Sequence, residues 1–206
     1  TEKAAKSLGM DVMVLNINDC WNLEYDNGAI MNLAKAEHIK EAANVISQYG
    51  DIIAIRAFPT LTNKEMDETE QVLNSFVKYA SVPIINMESA TAHPLQALAD
   101  AITISEFKTT SRPKVVLTWA PHPKALPHAV ANSFTRMVQK LDAEFVIAHP
   151  DGYTLDPKIT KSTPLYRNQE EAFEGADFVY AKNWCSYTDY GKVLRTDNSW
   201  MLTAES

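Results

Sequence analysis

Short apolar runs alternate along this chain with segments whose apolar residues recur at every third or fourth position. Runs at residues 11–16, 51–58, 82–87, 114–120, 144–148 and 177–181 predict strands. Between them Ile39/Ala42/Ala43/Ile46, Val72/Leu73/Phe76/Val77/Ala80 and Ala129/Val130/Phe134/Met137/Val138/Leu141 each predict one apolar helix face. Strand, helix and strand in repetition predict an α/β fold with two doubly wound parallel-sheet domains. The polar stretch at 108–113, ending in Pro113, places the boundary, giving domains at 1–108 and 113–206 joined by a helix over 94–107. Residues 1–6 read as the middle of a helix and Ala204-Glu205-Ser206 as an unfinished end, so the chain is expected to be an internal fragment.

In open parallel sheets ligands bind beyond the carboxyl ends of the strands. Polar residues stand at several of those ends: Arg56, Glu88, His122, His149 and Lys182. Any one of them alone is better explained as a solvated loop residue. Together they mark an edge facing a ligand, without identifying a reaction.

Composition removes whole classes of function. A net charge of −7 with scattered Lys and Arg gives no nucleic-acid footprint. No run reaches the roughly 18 apolar residues of a membrane span, and no secretory signal is present. Cys20 and Cys185, distant in sequence, fit a reducing cytoplasm and no zinc-site spacing. The six glycines are isolated, so neither a P-loop nor a dinucleotide fingerprint exists, and no G-x-S-x-G elbow is found.

The richest stretch is Asn86-Met87-Glu88-Ser89-Ala90-Thr91-Ala92-His93-Pro94-Leu95-Gln96-Ala97-Leu98-Ala99-Asp100. A strand ends, a polar loop follows, and Pro94 opens a helix where its missing N–H costs nothing. His93 and Gln96 lie on one face of the first turn, at a terminus whose free N–H groups suit an anion or developing oxyanion. Alone, His-Pro at a helix start is more often a capping feature than a catalytic one.

The segment from Glu88 through His93-Pro94-Leu95-Gln96-Ala97-Leu98-Ala99-Asp100 resembles the H-P-x-Q-x-L-x-D segment of aspartate and ornithine carbamoyltransferases. The resemblance runs over the whole chain. Ile53-Ala54-Ile55-Arg56-Ala57-Phe58 looks like the family strand carrying the carbamoyl-phosphate arginine. The run from Glu174 through Tyr180-Ala181-Lys182-Asn183-Trp184 looks like the strand before the second domain's substrate loop. The resemblance implies that Arg56 and His93 meet the carbonyl oxygen of carbamoyl phosphate, with Arg56 also reaching the phosphate. Gln96 would orient the carbamoyl nitrogen, and Pro94 and Leu95 would complete that site. Glu88, His122, Lys124 and Lys182 would hold the acceptor. Trp21 matches a tryptophan inserted into a neighbouring subunit's site, implying a homotrimer with shared sites. Transfer of this kind needs neither metal nor cofactor: the acceptor amine attacks, and phosphate leaves with the proton.

Leu117-Thr118-Trp119-Ala120-Pro121-His122-Pro123-Lys124 and Tyr180-Ala181-Lys182-Asn183-Trp184 resemble the branch acting on N-acetyl- or N-succinylornithine, in cytoplasmic arginine biosynthesis. The position before Glu37-His38 is Glu in acetylornithine enzymes and Pro in succinylornithine enzymes. Here it is Ala36, which leaves room and no repelling charge, so the expected acceptor is N-succinylornithine. The preceding Met31-Asn32-Leu33-Ala34 departs from the usual M-D-G-D. The family's S-x-R-T-R loop would precede Thr1 and its H-C-L-P segment would follow Ser206, so these 206 residues alone are expected to be inactive. Alternatives at this stage are N-acetylornithine or ornithine as acceptor, a non-catalytic ligand-binding family member, or a generic α/β binding domain.

Overall fold

The computed structural model describes residues 1–16, 22–31 and 34–203. Every strand pairing in it is parallel. In the first half, β1 (Leu23–Glu24) pairs with β2 (Glu37–His38), and β3 (Ile53–Arg56) pairs with β4 (Ile84–Glu88). Helices α2 (Ile39–Ile46) and α4 (Gln71–Tyr79), the latter preceded by the short α3 (Lys64–Glu68), pack together beside them. All four of Ile39, Ala42, Ala43 and Ile46 are buried, as their spacing predicts, and they meet Leu23, Ile55, Leu73 and Phe76. Val77, from the second helical set, faces solvent instead.

The second half is a four-stranded sheet of β5 (Lys114–Trp119), β6 (Glu144–Ala148), β7 (Leu165–Tyr166) and β8 (Phe178–Lys182), in the order β7-β6-β5-β8. The chain runs outward from β5 through β6 to β7, then returns to the other side of β5. The winding therefore reverses at β5, and a crevice between the carboxyl ends of β5 and β8 follows from that topology. Residues 115–119 of β5 are fully buried and pack with Phe134 and Val138 of α6 (Ala129–Val138) and with Val146 and Ile147. The two most deeply buried indoles are satisfied: Trp119 Nε1 donates to Trp184 O at 3.0 Å and Trp184 Nε1 to Tyr153 O at 2.7 Å. Helix α5 (Pro94–Phe107) links the halves and lies along α6.

Five of the six expected strands form. Residues 11–16 do not: none of them lies in a strand, and Met13, Val14 and Leu15 are exposed. An apolar run becomes a strand only where a neighbour takes up its N–H and C=O groups. The same segment follows a short helix, α1 (Glu2–Ser7), which buries nothing. Strands β1, β2 and β7 are two residues each, too short to leave a periodic signature. Among the described residues no helix is long and apolar enough to cross a membrane.

Candidate active site

The register between β3 and β4 is regular through Ile55↔Asn86 and then slips, so that Arg56 stands opposite Glu88 with Met87 unpaired. A bulge of this kind re-aims side chains at a strand end. It brings Arg56 Nε within 2.9 Å and Nη2 within 2.8 Å of Glu88 Oε2. Glu88 is buried and Arg56 half exposed, its guanidinium 4.5 Å from the Phe58 ring centroid. Guanidinium offers five N–H donors, so engaging two still leaves donors for a ligand.

His93 is the N-cap of α5, its ring accepting from Gln96 N at 3.4 Å through Nδ1. A neutral imidazole that accepts at Nδ1 carries its proton on Nε2. That Nε2 lies 3.5 Å from Glu88 Oε2. Capping, the competing explanation in the sequence, uses Nδ1 alone and leaves Nε2 as the ring's donor, on the side of Glu88. Pro94 and Leu95 follow with their side chains exposed, and Gln96 Nε2 donates to Asp100 Oδ1 at 2.9 Å.

The loop from Glu88 to His93 is held from outside. Glu70, in left-handed backbone at φ 48°, accepts through Oε1 from Ser89 Oγ at 2.6 Å, Thr91 N at 2.9 Å and Thr91 Oγ1 at 2.7 Å. The His93 N–H donates to Ser133 Oγ of α6 at 2.8 Å. Sequence reasoning misses both partners. A lone Glu between two helical stretches carries no signal, and Ser133 reads simply as part of a helix.

His122, Lys124 and Lys182 lie at the carboxyl ends of β5 and β8, where the sheet reverses its winding. Lys182 is the last residue of β8, and its carbonyl accepts from Ala120 N at 3.1 Å. Asn183 Nδ2 donates to Ala120 O at 2.7 Å, tying the two strand ends together. His122 folds onto its own loop, with Nδ1 3.1 Å from Lys124 N. Neither lysine ammonium has a hydrogen bond or ion pair among the described residues, and no such bond joins this group to Arg56, Glu88 or His93. His149 is a different case. It is fully buried between Pro150 O, at 2.9 Å from Nδ1, and Arg167 Nη1, at 2.8 Å from Nε2, and burial pushes its pKa down to about 4. It is a neutral structural residue. Trp21 lies outside the described residues, as do Asn32 and Leu33, while Ala36 is exposed beside β2 with its N–H on Asn22 O at 2.9 Å.

Segments from the two halves meet around a cavity of about 140 Å³ lined by Glu68, Thr91, His128, Asn132, Tyr187 and Tyr190, among others. Lys64 Nζ sits 3.6 Å over the Tyr187 ring and donates to Tyr187 O at 3.2 Å, and Tyr190 Oη donates to Asp67 Oδ2 at 3.0 Å. Gly191, at φ 75°, comes so close to Leu61 that a Cβ there would stand 1.9 Å from Leu61 O.

Residues 1–106 match the family described as aspartate/ornithine carbamoyltransferase, carbamoyl-P binding domain. The chain belongs to the aspartate/ornithine carbamoyltransferase family. Within it, the chain is 52% identical over 205 residues to the N-succinylornithine carbamoyltransferase of Bacteroides fragilis (strain 638R), covering 98% of this chain and 64% of that protein. It is 40% identical to the N-acetylornithine carbamoyltransferase of Xylella fastidiosa (strain Temecula1), over 92% of this chain and 61% of that one. The chain thus spans under two thirds of the length of the curated relatives it matches. A crystal structure of acetylornithine transcarbamylase complexed with acetylcitrulline superposes with a TM-score of 0.84 at 37% identity, over 92% of this chain and 61% of that one. The parallel α/β architecture is therefore that of the carbamoyltransferases.

Proposed function

We propose that the full-length protein containing this chain transfers the carbamoyl group of carbamoyl phosphate to the side-chain amine of N-succinylornithine, giving N-succinylcitrulline and phosphate, as a step of arginine biosynthesis. The observation that carries this reading is the Arg56–Glu88–His93 cluster at the N-terminus of α5, within a region matched to a carbamoyl-phosphate domain. In this reading the Arg56 donors left free by Glu88, and the Nε2–H of His93, serve the oxygen that becomes an oxyanion when the amine attacks. Such preorganised donors account for much of the rate when no covalent intermediate is formed. Glu88, whose contacts all fall on Oε2, accepts from the acceptor's amide N–H. Lys182, with His122 and Lys124, neutralises its carboxylates from the β5/β8 crevice.

Residues 1–108 form the carbamoyl-phosphate domain in this reading, and residues 113–206 belong to the acceptor domain. Trp21 closes the phosphate pocket of an adjacent subunit in a homotrimer. The succinyl preference rests on Ala36 and on the identity to succinylornithine enzymes. It is also supported by glutamate-to-valine and glutamate-to-alanine mutants of acetylornithine transcarbamylase crystallised with carbamyl phosphate and N-succinyl-L-norvaline. That is the behaviour expected if a glutamate excludes the succinyl group. The test is an assay of the full-length protein with carbamoyl phosphate and, separately, N-succinylornithine, N-acetylornithine and ornithine. Preference for the succinyl compound is the expected result. Preference for the acetyl compound would keep the mechanism and overturn the role of Ala36, and no product from any acceptor would overturn the reaction.

A further inference from the structure

Gln96 and Asp100 are four residues apart on α5 and so share a face. Their 2.9 Å bond runs from Gln96 Nε2 to Asp100 Oδ1. A carboxylate only accepts, so this contact decides which end of the glutamine amide is nitrogen. Nε2 reaches one turn along the helix to Asp100, and Oε1, an acceptor only, makes no hydrogen bond among the described residues. Asp100 is itself held in place. Its Oδ2 is buried without a partner in hydrogen-bond geometry, and the Tyr180 hydroxyl of β8 is near enough that burial and the carboxylate together raise its pKa to about 12. Tyr180 cannot swing away, because its ring stacks on Phe134 with centroids 4.2 Å apart. Burial also raises the pKa of Asp100 itself, while the Gln96 bond opposes that shift.

The amino end of a carbamoyl group presents only N–H donors, so it can be recognised only by an acceptor. A glutamine free to rotate its amide by half a turn would present either an acceptor or a donor. Resting on the carbamoyl-transfer reading above, we propose that Asp100 is a positioning residue that locks Gln96 with Oε1 toward the carbamoyl N–H. It thereby makes the site discriminate an acyl phosphate bearing an amine from a near-isosteric one bearing a methyl.

Acetyl phosphate is that methyl analogue. In the full-length protein, the inhibition constant of acetyl phosphate against carbamoyl phosphate, divided by KM for carbamoyl phosphate, measures the discrimination. Asp100→Leu is expected to lower this ratio about tenfold, the worth of one well-made hydrogen bond. Asp100→Asn, whose amide oxygen still accepts from Gln96, is expected to restore most of it. In a Gln96→Ala background Asp100→Leu is expected to change the ratio no further. If Asp100→Leu fails to fold, Asp100→Ala serves the same comparison. A wild-type ratio in Asp100→Leu and Asp100→Ala, or equal weakening toward both phosphates, would overturn the role of Asp100 alone. A wild-type protein that does not bind carbamoyl phosphate would overturn the reading beneath it.

Discussion

Arg56, Glu88 and His93 hold one another through a shared oxygen, Glu88 Oε2, whereas the ammonium groups of Lys124 and Lys182 reach out with no partner among the described residues. The first group is fixed by three independent devices: a bulge in the β3–β4 ladder, an imidazole cap and the Glu70 anchor. The second is placed only by backbone, where the winding reverses between β5 and β8. On the proposed mechanism the contrast separates two tasks. Donors aimed at a developing charge must be in place before it appears, because reorganising them during the reaction would raise the barrier. Long lysine side chains that neutralise a carboxylate of varying reach can settle after binding.

This contrast is breakable in the full-length protein. His93→Ala or Arg56→Ala should lower kcat by about 10² to 10³, as loss of an oxyanion donor does. Single-turnover rates check it, and near-wild-type kcat in either would remove that residue from the reacting centre. Glu70→Ala should cost about 2 kcal/mol of stability, since it orphans three donors around residues 89–91. A denaturation midpoint equal to wild type would show that the loop holds itself. Lys182→Ala should raise KM for the acceptor about tenfold while changing kcat far less, the signature of uniform binding. An equal fall in kcat would place Lys182 in the first group instead.

His149 sharpens the comparison from outside it. Its folded pKa of about 4 lies below its ordinary 6.5, so between those values the unfolded chain takes up a proton that the folded one refuses. Stability should therefore fall as pH drops from about 6.5 toward 4, and His149→Gln should flatten that slope without changing turnover. A slope unchanged in the mutant would assign the acid sensitivity elsewhere.

The two halves of the site were also unequally legible in the sequence. The H-P-x-Q-x-L-x-D segment and the polar strand ends point to Arg56, Glu88, His93 and Gln96, because cap, proline and strand end are local features with local causes. The bulge that sets Arg56 against Glu88 instead of Met87 is not local, since it depends on which strand pairs with which. Glu70, Ser133 and the Asp100–Tyr180 approach are likewise contacts between distant segments. Residues 11–16 show the converse error. Their apolar run has the composition of a strand, but pairing supplies the strand's stability, and that information lies in the neighbour.

Gly191 carries a different sort of message. It approaches a backbone carbonyl, not a flexible side chain, so no rotamer change can make room for a methyl there. The loops bearing Leu61 and Gly191 come from opposite halves of the molecule, and their spacing is set by two main chains touching directly. This contact works as a gauge block between those two loops. A single alanine at that point would press on the Leu61 carbonyl and force the two loops apart.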